Sequence, residues 1–109
     1  MKVNILGTEY TIKKQKVADN PKLKENNGLC ELYSKEIVLC DESWEDDVMT
    51  FNNIEEFEKK VLRHEIIHAF FAESGLDSQS EYARNEELVD WIAIQLPKMV
   101  KVMQDVNCL

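Results

Sequence analysis

The chain has 109 residues, of which 44% are hydrophobic and 31% charged, and its net charge at pH 7 is −8. This length fits one domain with one core, spanning residues 1–109, and leaves no room for a second. Residues 1–40 carry seven lysines against five acidic residues, whereas residues 41–109 carry six basic against sixteen acidic residues. The acidic second half repels phosphate backbones, which argues against nucleic-acid binding.

No targeting or membrane-spanning segment is recognisable in the sequence. Residues 1–7 lack the apolar run of a signal peptide, and no segment approaches the 18 or so consecutive apolar residues of a membrane span. The three cysteines, Cys30, Cys40 and Cys108, are an odd number and do not form a disulfide framework. We therefore expect a cytoplasmic protein without a membrane partner, and the sequence leaves its oligomeric state open.

The first forty residues have the patterns of short strands. Residues 3–5 and 10–12 alternate apolar and polar side chains on either side of a turn at Gly7-Thr8, which predicts a hairpin. Two apolar runs, residues 29–33 and 36–40, are separated by two polar residues and predict a second hairpin. Together these segments predict a small antiparallel sheet.

The second half of the chain has helical periodicity. Asn53, followed three residues later by Glu56, resembles a capping box that starts a helix, and Gly75 is suited to end it. A second helix is expected from about Glu81, and Pro97 should break or kink it. The predicted fold class is α+β, with the sheet of N-terminal hairpins packed on these two helices.

The first helix contains the run His64-Glu65-Ile66-Ile67-His68, an HExxH motif that includes both histidines of the chain. Residues four apart lie on the same face of a helix, so the two imidazoles can hold one Zn²⁺ while Glu65 acts as general base. The alternative is a pair of core histidines satisfied by hydrogen bonds. A metal is favoured because buried polar groups need partners, and one cation satisfies all of them.

A catalytic zinc site usually has three protein ligands, and no third histidine exists. Glu86 on the second helix is the preferred third ligand, because Asp90 lies four residues later on the same face and can accept the free N–H of a ligating histidine. Glu87 and Asp77 stay open as alternative ligands. Glu73 follows the motif by five residues and points away from the histidine face.

HExxH followed by Glu86-x-x-x-Asp90 resembles the gluzincin arrangement of thermolysin-like metallopeptidases, and the short chain with its strand lead-in resembles small ImmA/IrrE-type and phage-encoded zincin-like peptidases. The resemblance covers roughly residues 29–93, and it implies Glu86 as a zinc ligand, a protein or peptide substrate and a setting in a phage or mobile element. Thermolysin-like enzymes also carry a histidine or tyrosine that stabilises the oxyanion. Here Tyr82, Arg84 and Tyr33 are the candidates for that role.

The predicted function is therefore hydrolysis of peptide bonds by a zinc metallopeptidase. His64, His68 and Glu86 hold Zn²⁺, and Glu65 takes a proton from the attacking water. The strand at residues 36–40 is expected to lie along the cleft and pair with the substrate. Two alternatives stay open: an inactive zincin-like protein-interaction module with a structural zinc, and a site resembling that of peptide deformylases, with Cys30 as a metal ligand.

Overall fold

The computed structural model describes residues 1–41 and 54–109. These residues form four β-strands followed by three α-helices. The elements are β1 (Lys2–Ile5), β2 (Thr8–Gln15), β3 (Gly28–Glu31), β4 (Glu36–Cys40), α1 (Ile54–Glu73), α2 (Leu76–Gln79) and α3 (Glu86–Asp105). Two 3₁₀ turns, at Pro21–Lys24 and Glu81–Arg84, lie between β2 and β3 and between α2 and α3.

The strands form one sheet in the order β1-β2-β4-β3. Both predicted hairpins are present, because β1 pairs with β2 and β3 pairs with β4 in antiparallel fashion. The α+β fold class is confirmed, but the expected antiparallel sheet is mixed, since β2 and β4 pair in parallel. A parallel pair requires a long crossover connection, and residues 16–35, which include β3, provide it here.

The first hairpin turns at Leu6 and Gly7, one residue earlier than predicted, because Thr8 is already the first residue of β2. Both turn residues have positive φ, 51° at Leu6 and 94° at Gly7. A two-residue loop of this kind matches the right-handed twist of the paired strands, and glycine adopts the second of these conformations without strain.

The sheet is buried on both faces along β4. Ile37 packs with Ile5, Tyr10 and Ala69, while Val38, its neighbour in sequence, packs with Leu23 and Cys40 in a separate cluster. Successive side chains of a strand point to opposite faces, so β4 carries α1 on one side and the segment around Leu23 on the other. A strand buried in this way lies inside the sheet and leaves β3 at its edge.

Helix α1 is described from Ile54, so its predicted cap, Asn53, lies outside the described residues. Gly75 follows the helix with φ of 81°, and its N–H donates to the Ala72 carbonyl at 3.0 Å, which confirms its role in ending α1. None of the helices within the described ranges is long and apolar enough to cross a membrane.

Helix α3 begins at Glu86, and the prediction that it starts near Glu81 was wrong. Residues 81–84 form a 3₁₀ turn, and the side chain of Asn85 caps α3 by accepting the N–H of Leu88 at 2.8 Å. The helix continues through Pro97 to Asp105, so the proline does not break α3 into two helices.

A candidate metal centre between α1 and α3

The two histidines of α1 face the same cleft. Val61 and Ala69 are buried on the side of the helix that faces the sheet, and His64 and His68 lie on the adjacent stripe of the same helix, next to α3. His64 and His68 lie one turn apart, and their Nε2 atoms approach to 3.2 Å. Their side chains are only 16% and 18% exposed, so both imidazoles are largely removed from water.

Glu86 brings a carboxylate to the same point from the first turn of α3. Its Oε2 lies 2.8 Å from His64 Nε2 and 3.2 Å from His68 Nε2. The three atoms form a triangle with sides of 2.8–3.2 Å. Burial disfavours the ionised form of Glu86, but its hydrogen bonds to the two imidazoles outweigh that effect and hold the pKa of Glu86 below its ordinary value.

Asp90 contacts the other ring nitrogen of His64. Its Oδ1 lies 3.0 Å from His64 Nδ1 and also accepts a hydrogen bond of 3.0 Å from Lys60 Nζ. Burial again opposes ionisation, but these two contacts hold the pKa of Asp90 below its ordinary value. An ionised Asp90 fixes the proton of His64 on Nδ1 and so leaves the Nε2 lone pair free toward the cleft.

Around His64 there are more hydrogen-bond acceptors than N–H protons to satisfy them. A neutral imidazole has one N–H, yet both ring nitrogens of His64 face carboxylate oxygens, at 2.8 Å and 3.0 Å. His68 Nε2 faces the same Glu86 oxygen. The arrangement is therefore favourable only if the imidazoles are protonated or if a cation lies among Nε2 of His64, Nε2 of His68 and Oε2 of Glu86.

Glu65 forms the floor of the cleft. Its residue surface is only 6% exposed, and a carboxylate oxygen lies within 4.8 Å of a ring nitrogen of each histidine. Burial raises the pKa of Glu65 to about 7, with a smaller raising effect from Glu86 and a lowering effect from His64. Such a carboxyl group can take up and release a proton near neutral pH.

The cleft has a volume of about 540 Å³ and runs between α1, α3 and the edge strand. One wall is β3, from which Gly28, Leu29 and Cys30 line the cavity. The strand expected there, β4 (Glu36–Cys40), lies instead between β2 and β3 and has no free edge. Asp77 and Arg84 line the cavity from the segment that joins α1 to α3.

The alternative ligands are distributed differently. Glu87 is not among the residues that line the cleft, and Glu73 is bound on the sheet side by Thr8, Tyr10 and Lys35. Asp77 lines the cleft but has no contact with either histidine among the described residues. Cys30 packs against the core cluster, where burial raises the pKa of its thiol to about 12.

Two residues that support the site were not anticipated from the sequence. Lys60 holds Asp90, and its position one turn before His64 was a usable signal, because a charge there shares the histidine face. Gly28 lets β3 approach α1: a Cβ atom at this position would lie 2.8 Å from Val61 Cγ1 and 3.2 Å from Glu65 Cγ. No sequence signal identified Gly28, because the contact joins segments distant along the chain.

Comparison of the chain with protein-family models, with curated proteins and with solved structures finds no match. The chemistry of this centre is therefore interpreted from its own residues.

Proposed function

We propose that this protein is a zinc-dependent metallopeptidase of the small zincin-like type, in which Glu65 activates the water that hydrolyses a peptide bond. The observation that carries the proposal is the convergence of His64 Nε2, His68 Nε2 and Glu86 Oε2 within 3.2 Å of one another. A buried carboxylate at the floor of the same cleft supports it, since metallopeptidase chemistry needs a base beside the metal.

The donor set fits zinc in both type and spacing. Two imidazoles and one carboxylate are a ligand set of catalytic zinc sites, with metal–ligand distances of about 2.0–2.2 Å. Ligand atoms of a tetrahedron with such bonds lie about 3.3–3.5 Å apart. The triangle of 2.8–3.2 Å is slightly contracted relative to that value, as expected for donors drawn together by hydrogen bonds.

When bound, zinc would lower the pKa of a water molecule toward about 7 and polarise the substrate carbonyl. Glu65 would accept the proton of the attacking water on its carboxylate and return it to the leaving amine. Its pKa of about 7 suits both transfers, because neither protonation state is then strongly disfavoured near neutral pH. Asp90 would keep the His64 ring oriented through Nδ1, and Lys60 would keep Asp90 ionised.

The edge strand β3 offers a binding surface for an extended peptide. Its one partner in the described sheet is β4, so its outer edge has backbone groups available for pairing. Because β3 also lines the cleft, a peptide added at this edge would run past Glu65 and the two histidines. The proposed substrate is accordingly a protein segment or peptide in an extended conformation.

Metal content provides the primary test. We expect the purified protein to contain about one zinc per chain, as Glu86 and two histidines supply one three-ligand site. His64→Ala should abolish zinc binding, and Glu86→Gln should weaken it. Glu87→Gln is the matched control, because it removes an exposed carboxylate from the adjacent position. Wild-type protein without zinc after growth in zinc-supplemented medium, or equal effects of Glu86→Gln and Glu87→Gln, would reject the proposal.

The alternative function is an interaction module in which the zinc is structural. Such sites are closed by four protein ligands, and within the described residues Glu65 is the further carboxylate that lies within 4.8 Å of a ring nitrogen of both histidines. If Glu65 is a zinc ligand, Glu65→Gln should lower zinc affinity. If Glu65 is the general base, the same substitution should leave zinc affinity nearly unchanged. The 72% exposure of the Glu86 side chain favours the open, catalytic arrangement, because solvent reaches the centre from that side.

A further inference from the structure

Two cationic side chains line the cleft, and they differ in their partners. Lys60 is held by Asp90, with Nζ 3.0 Å from Oδ1, and its Nζ also lies 5.5 Å from the ring centroid of Phe57. Arg84 donates from Nη1 to the backbone carbonyl of Asp77. Within residues 1–41 and 54–109, no carboxylate forms a salt bridge with Arg84.

Neighbouring residues hold the backbone of Arg84, and one hydrogen bond holds its exposed side chain. Ala83, the preceding residue, is 1% exposed and anchors the 3₁₀ turn, and Asn85, the following residue, caps α3. The bond to the Asp77 carbonyl orients the guanidinium group. Arg84 thereby presents its remaining N–H donors two residues before Glu86, along the same wall of the cleft.

Five carboxylates line the cleft with Arg84, and within the described residues none of them forms a salt bridge with it: Glu25, Glu65, Asp77, Glu86 and Asp90. Glu86 contacts the two histidines, and Asp90 contacts His64 and Lys60. Glu65 lies on the floor and is buried. Among the described residues the Arg84 guanidinium has one backbone partner and no carboxylate partner, so it retains the paired N–H donors that bind a carboxylate in bidentate fashion.

We propose that Arg84 recognises a carboxylate of the peptide substrate, through its free guanidinium N–H groups at the wall of the cleft. The inference rests on the proposed function in taking the ligand to be a peptide, and it adds a preference for acidic substrates. The carboxylate belongs either to an aspartate or glutamate side chain or to a free C-terminus, since both offer the same two oxygens. Tyr33 and Tyr82, the other candidates for stabilising the oxyanion, are exposed and are not among the residues that line this cavity.

The test measures peptide binding rather than turnover, so its result does not depend on hydrolysis. The protein is the full-length, zinc-supplemented chain with Glu65→Gln, which prevents cleavage during titration. The probes are extended peptides in which each position in turn is aspartate or asparagine, together with peptides that end in a free carboxylate or an amide. Isothermal titration calorimetry then gives Kd for each matched pair.

We expect at least one acidic peptide to bind about tenfold more tightly than its amide counterpart, as one charge-assisted contact predicts. Arg84→Gln should abolish this preference, and Arg84→Lys should retain only part of it, because lysine keeps the charge without the planar fork. Lys98→Gln is the control that removes the same charge from an exposed site on α3. Circular dichroism and zinc content show whether each variant keeps its fold.

Equal affinity for every acidic and amide pair would overturn the inference, and so would a preference that survives Arg84→Gln, which would assign the carboxylate to another group. Absence of any peptide binding at millimolar concentration would overturn it as well. A preference lost in Arg84→Gln, without hydrolysis by the wild-type protein, would uphold the role of Arg84 and reject the peptidase. Hydrolysis by the wild-type protein without any preference for acidic peptides would support the peptidase and reject the role of Arg84.

Discussion

Two of the carboxylates on helix α1, Glu65 and Glu73, lie in opposite surroundings. Glu73 accepts hydrogen bonds from Lys35 Nζ at 2.8 Å, Tyr10 Oη at 2.8 Å and Thr8 Oγ1 at 3.0 Å. The bonds from Lys35 and Tyr10, with a smaller effect from Thr8, outweigh burial and hold the pKa of Glu73 below its ordinary value. Glu65 is nearly inaccessible, and burial raises its pKa to about 7.

The surroundings of Glu73 at the end of α1 and the cleft beside Glu65 therefore differ in whether hydrogen-bond donors match acceptors. Around Glu73, three groups that carry protons meet one carboxylate, and the network is complete without a ligand. In the cleft, His64 meets the carboxylates of Glu86 and Asp90 with a single proton in its neutral form. A polar cluster that is complete stabilises the fold, whereas one that lacks positive charge or protons identifies a place where a cation can bind.

The largest difference between the two carboxylates should appear in catalysis. Glu65→Gln keeps the shape of the side chain but cannot accept a proton, so we expect hydrolysis of a fluorogenic peptide library to fall by about 10²–10⁴-fold. Zinc content should stay at the wild-type value. Glu73→Gln is the matched control on the same helix and should retain most of the activity. Equal losses of activity in Glu65→Gln and Glu73→Gln would contradict the different roles assigned to these two carboxylates.

Zinc should stabilise the fold through the residues of the cleft and not through Glu73. At a free zinc concentration about 1,000 times Kd, binding adds about 4 kcal/mol to the free energy of unfolding. We expect chelation to lower the melting temperature of the wild type accordingly. Glu86→Gln should reduce the zinc-dependent increment, while Glu73→Gln should lower stability by the same amount with and without zinc. An increment that is identical in both variants would contradict the assignment of Glu86.

Gly28 permits the close contact between β3 and the part of α1 around Val61 and Glu65. Gly28→Ala places a methyl group 2.8 Å from Val61 Cγ1 and 3.2 Å from Glu65 Cγ, and we expect overpacking to cost about 1–3 kcal/mol in urea unfolding. Hydrolysis should also decline, because Glu65 is displaced. Asn27→Ala changes the adjacent exposed residue and should have little effect. Wild-type stability in Gly28→Ala would show that β3 is free to move away from α1.

The smallest expected effect concerns the pH dependence of the Glu73 end. Because the pKa of Glu73 is lowered in the folded protein, its ionised form stabilises the fold at neutral pH, and this contribution is lost as the pH falls through the folded pKa. The difference in unfolding free energy between wild type and Glu73→Gln should therefore shrink from pH 7 toward pH 3. A difference that does not change with pH would mean that Glu73 acts through packing rather than through its charge.

Several features of the site were predictable because they depend on local geometry. The spacing of His64 and His68 puts both imidazoles on one helix face, and the spacing of Glu86 and Asp90 does the same on α3. The structure brings these four side chains together at distances of 2.8–3.2 Å. The start of α3 was misjudged, because periodicity does not distinguish a 3₁₀ turn from a first helical turn, whereas the cap at Asn85 does.

By itself, the sequence determined the α+β class, the two hairpins, and which residues share a face within each helix (His64 with His68, Glu86 with Asp90), since each follows from periods of two or four residues. Only the tertiary structure decided that β2 and β4 are parallel, that β3 is the edge strand beside Glu65, and that Lys60 holds Asp90. These features depend on contacts between residues far apart in the chain, and a local pattern does not specify which distant segments meet.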